Sequence, residues 1–318
     1  MNDDPDESFV IQTLLEHRPE ALATRQIRGE VRRHAPGDDA ALVDAHTVVT
    51  IDTMVQGVHF DDKLSPADVG WKLVAVNASD IGAMGATPDW AVLSVSLPSP
   101  LDREWVQEFA RGMGEALARW SIHLVGGDTT GSPGPICVSM TLAGRASSPV
   151  GRSGAQPGDA IWVTGTLGEA AAGFLHEIPE GLAALRRPQP PVHFGATLAA
   201  AVSVHAMMDI SDGLARDLAR MCQSSGVSAQ INPEALPSGP GLDQVPDPLA
   251  AQVSFGEDYQ LLFATHPDAH DTVCRVADKH GVTVSQIGHF SGTADPATAH
   301  LQGRDWPVAS FSHFGSGQ

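Results

Sequence analysis

The segment from Ser65 to Pro88 limits most strongly how this chain can fold, because it predicts a buried helix that carries a carboxylate. Ser65 suits the N-cap, Pro66 suits the first helical position, and Asp68 falls in the first turn, where free backbone N–H groups favour a negative charge. Burying Asp80 beside small residues is costly unless a positive group meets it. We therefore predict a metal ion over Asp80; a capping or hydrogen-bonded aspartate is the alternative.

Length and composition restrict the class of protein. The chain has 318 residues, of which 42% are hydrophobic, and its mean hydropathy is -0.06. These values predict a globular protein of two domains with no membrane span. Residues 1–7 are acidic, which is the reverse of a signal peptide, and the three cysteines are too scattered for a disulfide framework. We therefore expect a cytoplasmic protein.

The net charge of -19 restricts the partners. Nucleic acids and anionic membranes require a basic surface, so neither is expected as a main partner. A phosphorylated substrate remains compatible with this charge, because bound metal ions supply positive charge locally.

Strands and helices alternate along the chain and meet at Gly-rich corners, which predicts an α/β or α+β fold. The composition shifts at residues 146–158, which are rich in Ser, Gly and Pro, so we place two domains at 1–148 and 149–318. The predicted elements include a helix over 7–16, a strand over 122–125 followed by a loop at 126–131, a helix over 195–204, a strand over 258–264 and a final strand over 282–287.

Aspartates recur where predicted strands and helices end. They are Asp38, Asp39, Asp52, Asp80, Asp128, Asp209 and Asp212. Like charges held close together need counter-ions, and magnesium prefers oxygen ligands that it often shares with substrate phosphates. Together with nearby hydroxyls such as those of Thr50 and Ser211, these carboxylates predict a site for several magnesium ions. A single aspartate of this kind is as readily a turn or N-cap residue.

The glycine-rich segment 126–131 has bare N–H groups that could cradle a phosphate. The chain has no Gly-Lys pair for a P-loop, no strand-associated Gly-x-Gly-x-x-Gly, no His-Glu-x-x-His and no Gly-x-Ser-x-Gly. From the residues alone, we infer a magnesium-dependent enzyme that handles phosphates.

With these residues collected, the chain closely resembles the thiamine-monophosphate kinase family, part of the superfamily named after aminoimidazole ribonucleotide synthetase. The matching blocks occur in a specific order and spacing. They are Gly37–Ala41, Asp52–Phe60, Ala75–Ala86, Gly126–Thr130, Arg152–Asp159, Val163–Gly168, Asp209–Leu214 and Gly256–Tyr259.

This resemblance implies the reaction ATP + thiamine phosphate → ADP + thiamine diphosphate, by direct in-line transfer without a phosphoenzyme. It implies a PurM-like fold, in which an N-terminal α/β domain pairs with a second subunit to form a β-barrel and an α+β domain follows. A homodimer with ATP between the domains is therefore expected, as are several Mg²⁺ ions.

The resemblance also implies roles for individual residues. Asp80, Asp128 and Asp209 would be central to catalysis. The implied magnesium ligands are Asp39, Thr50, Asp52, Asp80, Asp128, Asp209 and Asp212. The implied ATP-binding residues are Gly127, Asp128, Arg152 and Ser211. The implied residues for thiamine phosphate are His59, Glu257 and Phe311. Without the resemblance, a buried structural role for His59 is favoured.

Four positions depart from the pattern of the family. Ile51 stands where many relatives have Thr, Phe255 stands where a second Gly is usual, and Phe311-Ser312 replaces Tyr-Asp. Two alternatives stay open at this point: a sister enzyme of the superfamily that also uses ATP, and a non-catalytic nucleotide-binding protein that kept the fold.

Overall fold

The computed structural model describes residue 13, residues 24–27 and 30–33, and residues 37–100, 102–292 and 298–302. Thr13 is helical, but the rest of the helix predicted over 7–16 lies outside the described residues, as does Phe311. Strands β1 (Thr24–Ile27) and β2 (Glu30–Arg33) form an antiparallel hairpin.

The first large sheet has five strands, in the order β3-β4-β7-β5-β6. Their bounds are β3 (Ala41–Leu42), β4 (Thr47–Val55), β5 (Thr87–Pro98), β6 (His123–Ser132) and β7 (Cys137–Arg145). Neighbouring strands are antiparallel except β5 and β6, which are parallel. Among the described residues, β6 pairs on one side only and forms an edge of the sheet.

Helices α1 (Pro66–Ala83) and α2 (Arg103–Arg119) pack together and cover one face of this sheet. The predicted N-terminus of α1 is confirmed, because the Ser65 hydroxyl accepts a hydrogen bond of 3.2 Å from the Asp68 backbone N–H. Side chains of β4 alternate between the two faces. Thr50 is buried under the helices, whereas Ile51 on the opposite face is 65% exposed. The side chains at positions 50 and 51 therefore lie on opposite faces of the sheet and cannot contribute to the same site.

The second large sheet has six strands, in the order β13-β10-β12-β8-β11-β9. Their bounds are β8 (Ala160–Thr164), β9 (Val204–Asp209), β10 (Ser228–Ile231), β11 (Leu261–Thr265), β12 (Val284–Ser291) and β13 (Ala299–Leu301). Its helices are α3 (Glu169–His176), α4 (Pro179–Arg186), α5 (Val192–Ala201), α6 (Leu214–Ser225), α7 (Pro248–Ser254) and α8 (His270–His280). Buried apolar side chains lie on both faces of this sheet.

Helix α1 contacts both halves of the molecule, since it packs on β4 and β7 and also on β9 and α5. The contact with α5 is backbone to backbone. A Cβ atom at Gly195 would lie 2.1 Å from the carbonyl oxygen of Gly82, so only glycine fits there. The prediction that this helix is buried is therefore confirmed.

Several predicted bounds are wrong. Residues 126–131 belong to β6 instead of a loop, and the helix predicted over 195–204 is α5, which ends at Ala201 before Val204 begins β9. Residues 258–260 lie outside β11, and β12 is followed by β13, so it is not the final strand. Asp52 and Asp128 lie within strands, so these two aspartates are not at strand ends. Asp80 lies near the end of α1, as predicted.

Among the described residues, no helix has the length and apolar character that a membrane span requires.

Candidate active site

Asp80 lies in the last turns of α1, facing β4. The Thr50 hydroxyl donates a hydrogen bond of 2.6 Å to Asp80 Oδ2. Burial, followed by repulsion from Asp52, Asp209 and Asp39, holds the pKa of Asp80 well above its usual range. The carboxylate predicted from the sequence to need a positive partner is therefore surrounded by other carboxylates.

Asp209 ends β9 in the second sheet and is 3% exposed. The hydroxyl of Ser79, next to Asp80 on α1, donates to Asp209 Oδ2 over 2.6 Å. Burial and then repulsion from Asp39 raise the pKa of Asp209 well above its usual range, and this hydrogen bond opposes the shift. One helix thus positions carboxylates from both halves of the chain.

Asp39 lies just before β3, and its Oδ1 accepts a hydrogen bond of 2.6 Å from Arg152 Nη2. Burial raises the pKa of Asp39 to about 6 although Arg152 lowers it. Its other oxygen, Oδ2, is buried and has no hydrogen-bond partner among the described residues. The adjacent Asp38 accepts a 2.8 Å hydrogen bond from the Arg152 backbone N–H. Arg152, which the family resemblance implies as an ATP-binding residue, is therefore held beside the acidic cluster.

Asp52 completes the acidic cluster, which we define as Asp39, Asp52, Asp80 and Asp209. Burial raises the pKa of Asp52, a side-chain hydrogen bond with Asp80 lowers it, and Glu257 raises it further. Within the described residues, no three His, Cys, Asp or Glu side chains already form a cage for a metal ion. The donors are nevertheless all oxygens, and magnesium typically takes one or two carboxylates plus water and substrate phosphates. The unpartnered Asp39 Oδ2 and the mutual repulsion fit such an ion.

The segment 210–213 follows β9 and is fixed by Asp217 on α6. Asp217 Oδ2 accepts hydrogen bonds from the backbone N–H groups of Ser211, at 3.1 Å, and Asp212, at 3.0 Å. Arg220 donates to Asp217 Oδ1 at 3.0 Å and to Asp212 Oδ2 at 2.5 Å. Burial and the Asp212 charge raise the pKa of Asp217 to about 7. Two sequence-predicted site residues, Ser211 and Asp212, are thus fixed by two that were not predicted.

The segment 256–259 is bound directly to the segment 210–213. Glu257 donates its backbone N–H to the carbonyl oxygen of Ser211 at 2.9 Å, and Tyr259 does so to Ile210 at 2.9 Å. Both Glu257 and Tyr259 have positive φ angles, of 62° and 49°, which are rare for residues with side chains. The side chain of Glu257 forms an ion pair with Lys72 of α1.

His59 follows β4 and is half-buried. Its Nδ1 accepts a 3.1 Å hydrogen bond from the Val55 backbone N–H, so in the neutral ring the proton lies on Nε2. The ring is therefore fixed, with Nε2 as a donor.

Asp128 and Gly127 lie apart from the acidic cluster in the single chain. Both are exposed on β6, which is three strand spacings, or about 14 Å, from β4 in the sheet. Gly127 allows β6 to approach β5, because a Cβ atom there would lie 2.0 Å from the Leu93 carbonyl oxygen. Their predicted roles are not supported by contacts within the chain.

A pocket of about 140 Å³ lies beside Glu257. It is bounded by the segment 257–260, by the start of α3 and by residues 184–189. Its lining includes the carboxyl groups of Glu169, Glu257 and Asp258 and the guanidinium of Arg187, which is paired with Asp68 and Glu115.

Two family models match the chain: AIR synthase related protein, N-terminal domain, over residues 37–146, and AIR synthase related protein, C-terminal domain, over residues 156–299. The Thiamine-monophosphate kinase of Rhodopirellula baltica is 34% identical over 273 residues, which cover 80% of this chain and 83% of that protein. The chain belongs to the thiamine-monophosphate kinase family. The resemblance drawn from the sequence motifs is thereby confirmed.

Solved structures of thiamine-monophosphate kinases share this fold. The enzyme from Stenotrophomonas maltophilia superposes with a TM-score of 0.75 at 32% identity, covering 92% of this chain and 94% of that one. A structure of AaThiL complexed with AMPPCP and TMP superposes with a TM-score of 0.80 at 29% identity, covering 97% of both chains. The predicted two-domain α/β and α+β fold of this family is thereby confirmed.

Four features of this thiamine-monophosphate kinase family member were not predicted from the sequence: Ser79, Asp217, Arg220 and the pairing of Lys72. The spacing of Asp217, four residues after Gly213 at the start of α6, was a usable signal, because such a carboxylate reaches the free N–H groups before a helix. Lys72 had no such signal, since its partner is 185 residues away in the chain.

Proposed function

We propose that this protein transfers the γ-phosphoryl group of ATP to thiamine monophosphate and forms thiamine diphosphate. The observation that carries the proposal is the acidic cluster in a member of this kinase family: four carboxylates that lie together with raised pKa values, Asp209 buried and the other three half-buried. Such a cluster is stable in its ionised form only with cations, and phosphoryl transfer consists largely of positioning and charge neutralisation. The structure of the relative with AMPPCP and TMP supports the same pair of substrates.

Magnesium held at this site would neutralise the phosphate oxygens during the transfer. Asp39, Asp52, Asp80 and Asp209 would hold it, with the Thr50 hydroxyl beside them. Asp212 is proposed as a further ligand from the segment 210–213. Asp128, which lies apart from the acidic cluster in the single chain, is proposed as a ligand from β6. Among these, Asp80, Asp128 and Asp209 are the residues that we propose as catalytic.

The nucleotide would be bound by Arg152, Ser211, Gly127 and Asp128. Arg152 lies beside Asp39, so its guanidinium can contact an oxygen of a phosphate that the acidic cluster binds through cations. The segment that contains Ser211 is fixed by Asp217, so its position requires no reorganisation when ATP binds.

Thiamine monophosphate would be bound by His59 and Glu257. The His59 Nε2–H is suited to donate to a phosphate or ring acceptor, and Glu257 is suited to the positively charged thiazolium group. Phe311 is proposed as an aromatic contact to thiamine, although it lies outside the described residues.

We also propose a homodimer whose N-terminal domains, 1–148, pair through their sheets, with 149–318 as the second domain. The exposed β6 edge, with Val125 61% exposed, and the exposed Ile51 support such an interface. A cytoplasmic location is proposed as well, supported by free cysteines at 137, 222 and 274.

Incubation of the purified protein with Mg-ATP and thiamine monophosphate tests the proposal, with thiamine and an aminoimidazole precursor as parallel substrates. Chromatography should detect thiamine diphosphate from the monophosphate alone. ATP consumption with only another acceptor would indicate a sister enzyme, and ATP binding without any turnover would indicate a nucleotide-binding protein.

A further inference from the structure

Lys72 is a buried cation that the proposed chemistry has not used. It lies on α1 two turns, or about 12 Å, before Asp80, and it is 3% exposed. A lysine with so little access to water needs an anionic partner, since burial of an unpaired charge is strongly unfavourable. The ion partner that the structure gives it is Glu257.

Glu257 comes from the other half of the chain, and its backbone is as constrained as its side chain. Its φ angle is 62° and its N–H is bonded to the Ser211 carbonyl oxygen at 2.9 Å. The preceding Gly256 also has a positive φ angle, and a Cβ atom there would lie 2.3 Å from the same oxygen. The backbone contacts thus fix the position of the Glu257 main chain, and Lys72 fixes the position of its carboxylate.

The Glu257 carboxylate is buried on one side and exposed on the other. Its Oε2 atom is buried against Lys72, while the side chain as a whole is 33% exposed. Glu257 also forms part of the wall of the 140 Å³ pocket, beside Glu169 and Gln260. Arg187 lines this pocket too, but its guanidinium is paired with Asp68 and Glu115. One oxygen is therefore committed to Lys72, and the exposed part of the group is available to a ligand in that pocket.

We propose that Lys72 is a positioning residue that holds the Glu257 carboxylate at the wall of this pocket, and that the pocket takes the positively charged thiamine end of the acceptor. This inference rests on the proposed function. It adds a residue on α1 that acts on substrate specificity through Glu257, without contact with the reacting atoms.

Substitution of Lys72 separates this role from catalysis. Lys72→Met leaves Glu257 without its partner, so the KM for thiamine monophosphate should rise at least tenfold while the KM for ATP changes less than twofold. Lys72→Arg keeps the charge and should recover most of the loss. The matched control is Lys63→Met, which breaks an exposed ion pair with Glu177 at 3.7 Å and should change neither constant.

A double-mutant cycle decides whether Lys72 acts through Glu257. If it does, Lys72→Met/Glu257→Gln should have the same KM for thiamine monophosphate as Glu257→Gln alone. The double variant also removes the unpaired buried charge, so its thermal midpoint should exceed that of Lys72→Met without any recovery in KM. The proposal would be overturned if the KM of the double variant rose by the product of the two single effects. It would also be overturned if the KM of the double variant recovered together with its stability.

Isothermal titration of thiamine monophosphate into protein saturated with Mg²⁺ and a non-hydrolysable ATP analogue gives the same comparison without turnover. Wild-type protein that binds thiamine monophosphate but does not turn it over contradicts the proposed function alone. A weaker Kd for Lys72→Met then still supports the role of Lys72, and an unchanged Kd overturns it. Absence of binding by the wild type overturns both.

Discussion

The Ser79 hydroxyl donates a 2.6 Å hydrogen bond to Asp209 Oδ2 and so joins α1, which covers the first sheet, to the end of β9 in the second. The next residue along α1, Asp80, accepts from Thr50 of β4. Two consecutive residues of one buried helix therefore fix the relative positions of carboxylates from both halves of the chain. Phosphoryl transfer depends on such positions, because it relies on alignment and charge neutralisation.

Removal of the Ser79 hydroxyl should weaken both stability and catalysis. Ser79→Ala leaves a buried carboxylate oxygen of Asp209 without its donor, which costs about 1–3 kcal/mol. Urea denaturation should show this loss, and turnover should fall because Asp209 is no longer fixed. The control is Ser139→Ala, which removes an exposed partner of Thr53 and should cost less than about 0.5 kcal/mol. Equal losses in the two variants would contradict the role assigned to Ser79.

The metal-free protein should lose stability as the pH rises, relative to Asp39→Asn. Burial raises the pKa of Asp39 to about 6, above the value of about 4 expected in the unfolded chain. The folded state therefore binds more protons between these values, and the stabilisation present at low pH is lost as the pH rises through 6.

Measured with a chelator present, the stability difference between wild type and Asp39→Asn should shift by about 1 kcal/mol against the wild type from pH 5 to 7.5. Saturating Mg²⁺ should reduce that shift, because the cation favours the ionised carboxylate. A difference that does not vary with pH would contradict the raised pKa.

Gly256 should be more sensitive to substitution than another glycine of similar backbone conformation. Gly256 and Gly226 have φ angles of 84° and 69°, but nothing lies within 4 Å of a Cβ atom at Gly226. Gly226→Ala should therefore cost only the conformational strain of about 1–2 kcal/mol. Gly256→Ala adds a collision with the Ser211 carbonyl oxygen and should reduce turnover at least tenfold. Comparable activity in the two variants would show that the contact between segments 256–259 and 210–213 does not matter.

The exposed edge of β6 should be needed for a dimer. Val125→Glu places a charge on this edge, where it opposes pairing with a second chain that already carries a net charge of -19. Sedimentation should show a dimer for wild type and a monomer for this variant. Leu175→Glu, at a residue of α3 that is 57% exposed, should leave the dimer intact. A wild-type monomer would refute the proposed interface.

Local signals predicted much of the fold correctly. The N-terminus of α1 was predicted because Ser65 caps a free N–H group, Pro66 suits the first helical position, and Asp68 places a negative charge in the first turn. The glycines at 126 and 127 led to the wrong prediction of a loop. They also allow β6 to lie close against β5, and composition does not distinguish a close strand pair from a loop.

The sequence predicted which residues form the candidate site better than it predicted where they lie in the fold. Asp39, Asp52, Asp80 and Asp209 do meet, although Asp52 lies within its strand. Which polar groups hold them depends on contacts between distant segments, such as Ser79 with Asp209 or Lys72 with Glu257, and no periodicity or spacing records those.

The most direct test of the central claim is the turnover of Asp80→Asn with Mg-ATP and thiamine monophosphate, together with its thermal midpoint. The claim is that the acidic cluster holds magnesium for phosphoryl transfer. It predicts that turnover falls by about 100-fold or more, since loss of a metal ligand removes several kcal/mol of charge stabilisation. The midpoint without Mg²⁺ should stay equal or rise, because one of the four mutually repelling carboxyl groups is gone. An Asp80→Asn protein with wild-type turnover would contradict the claim.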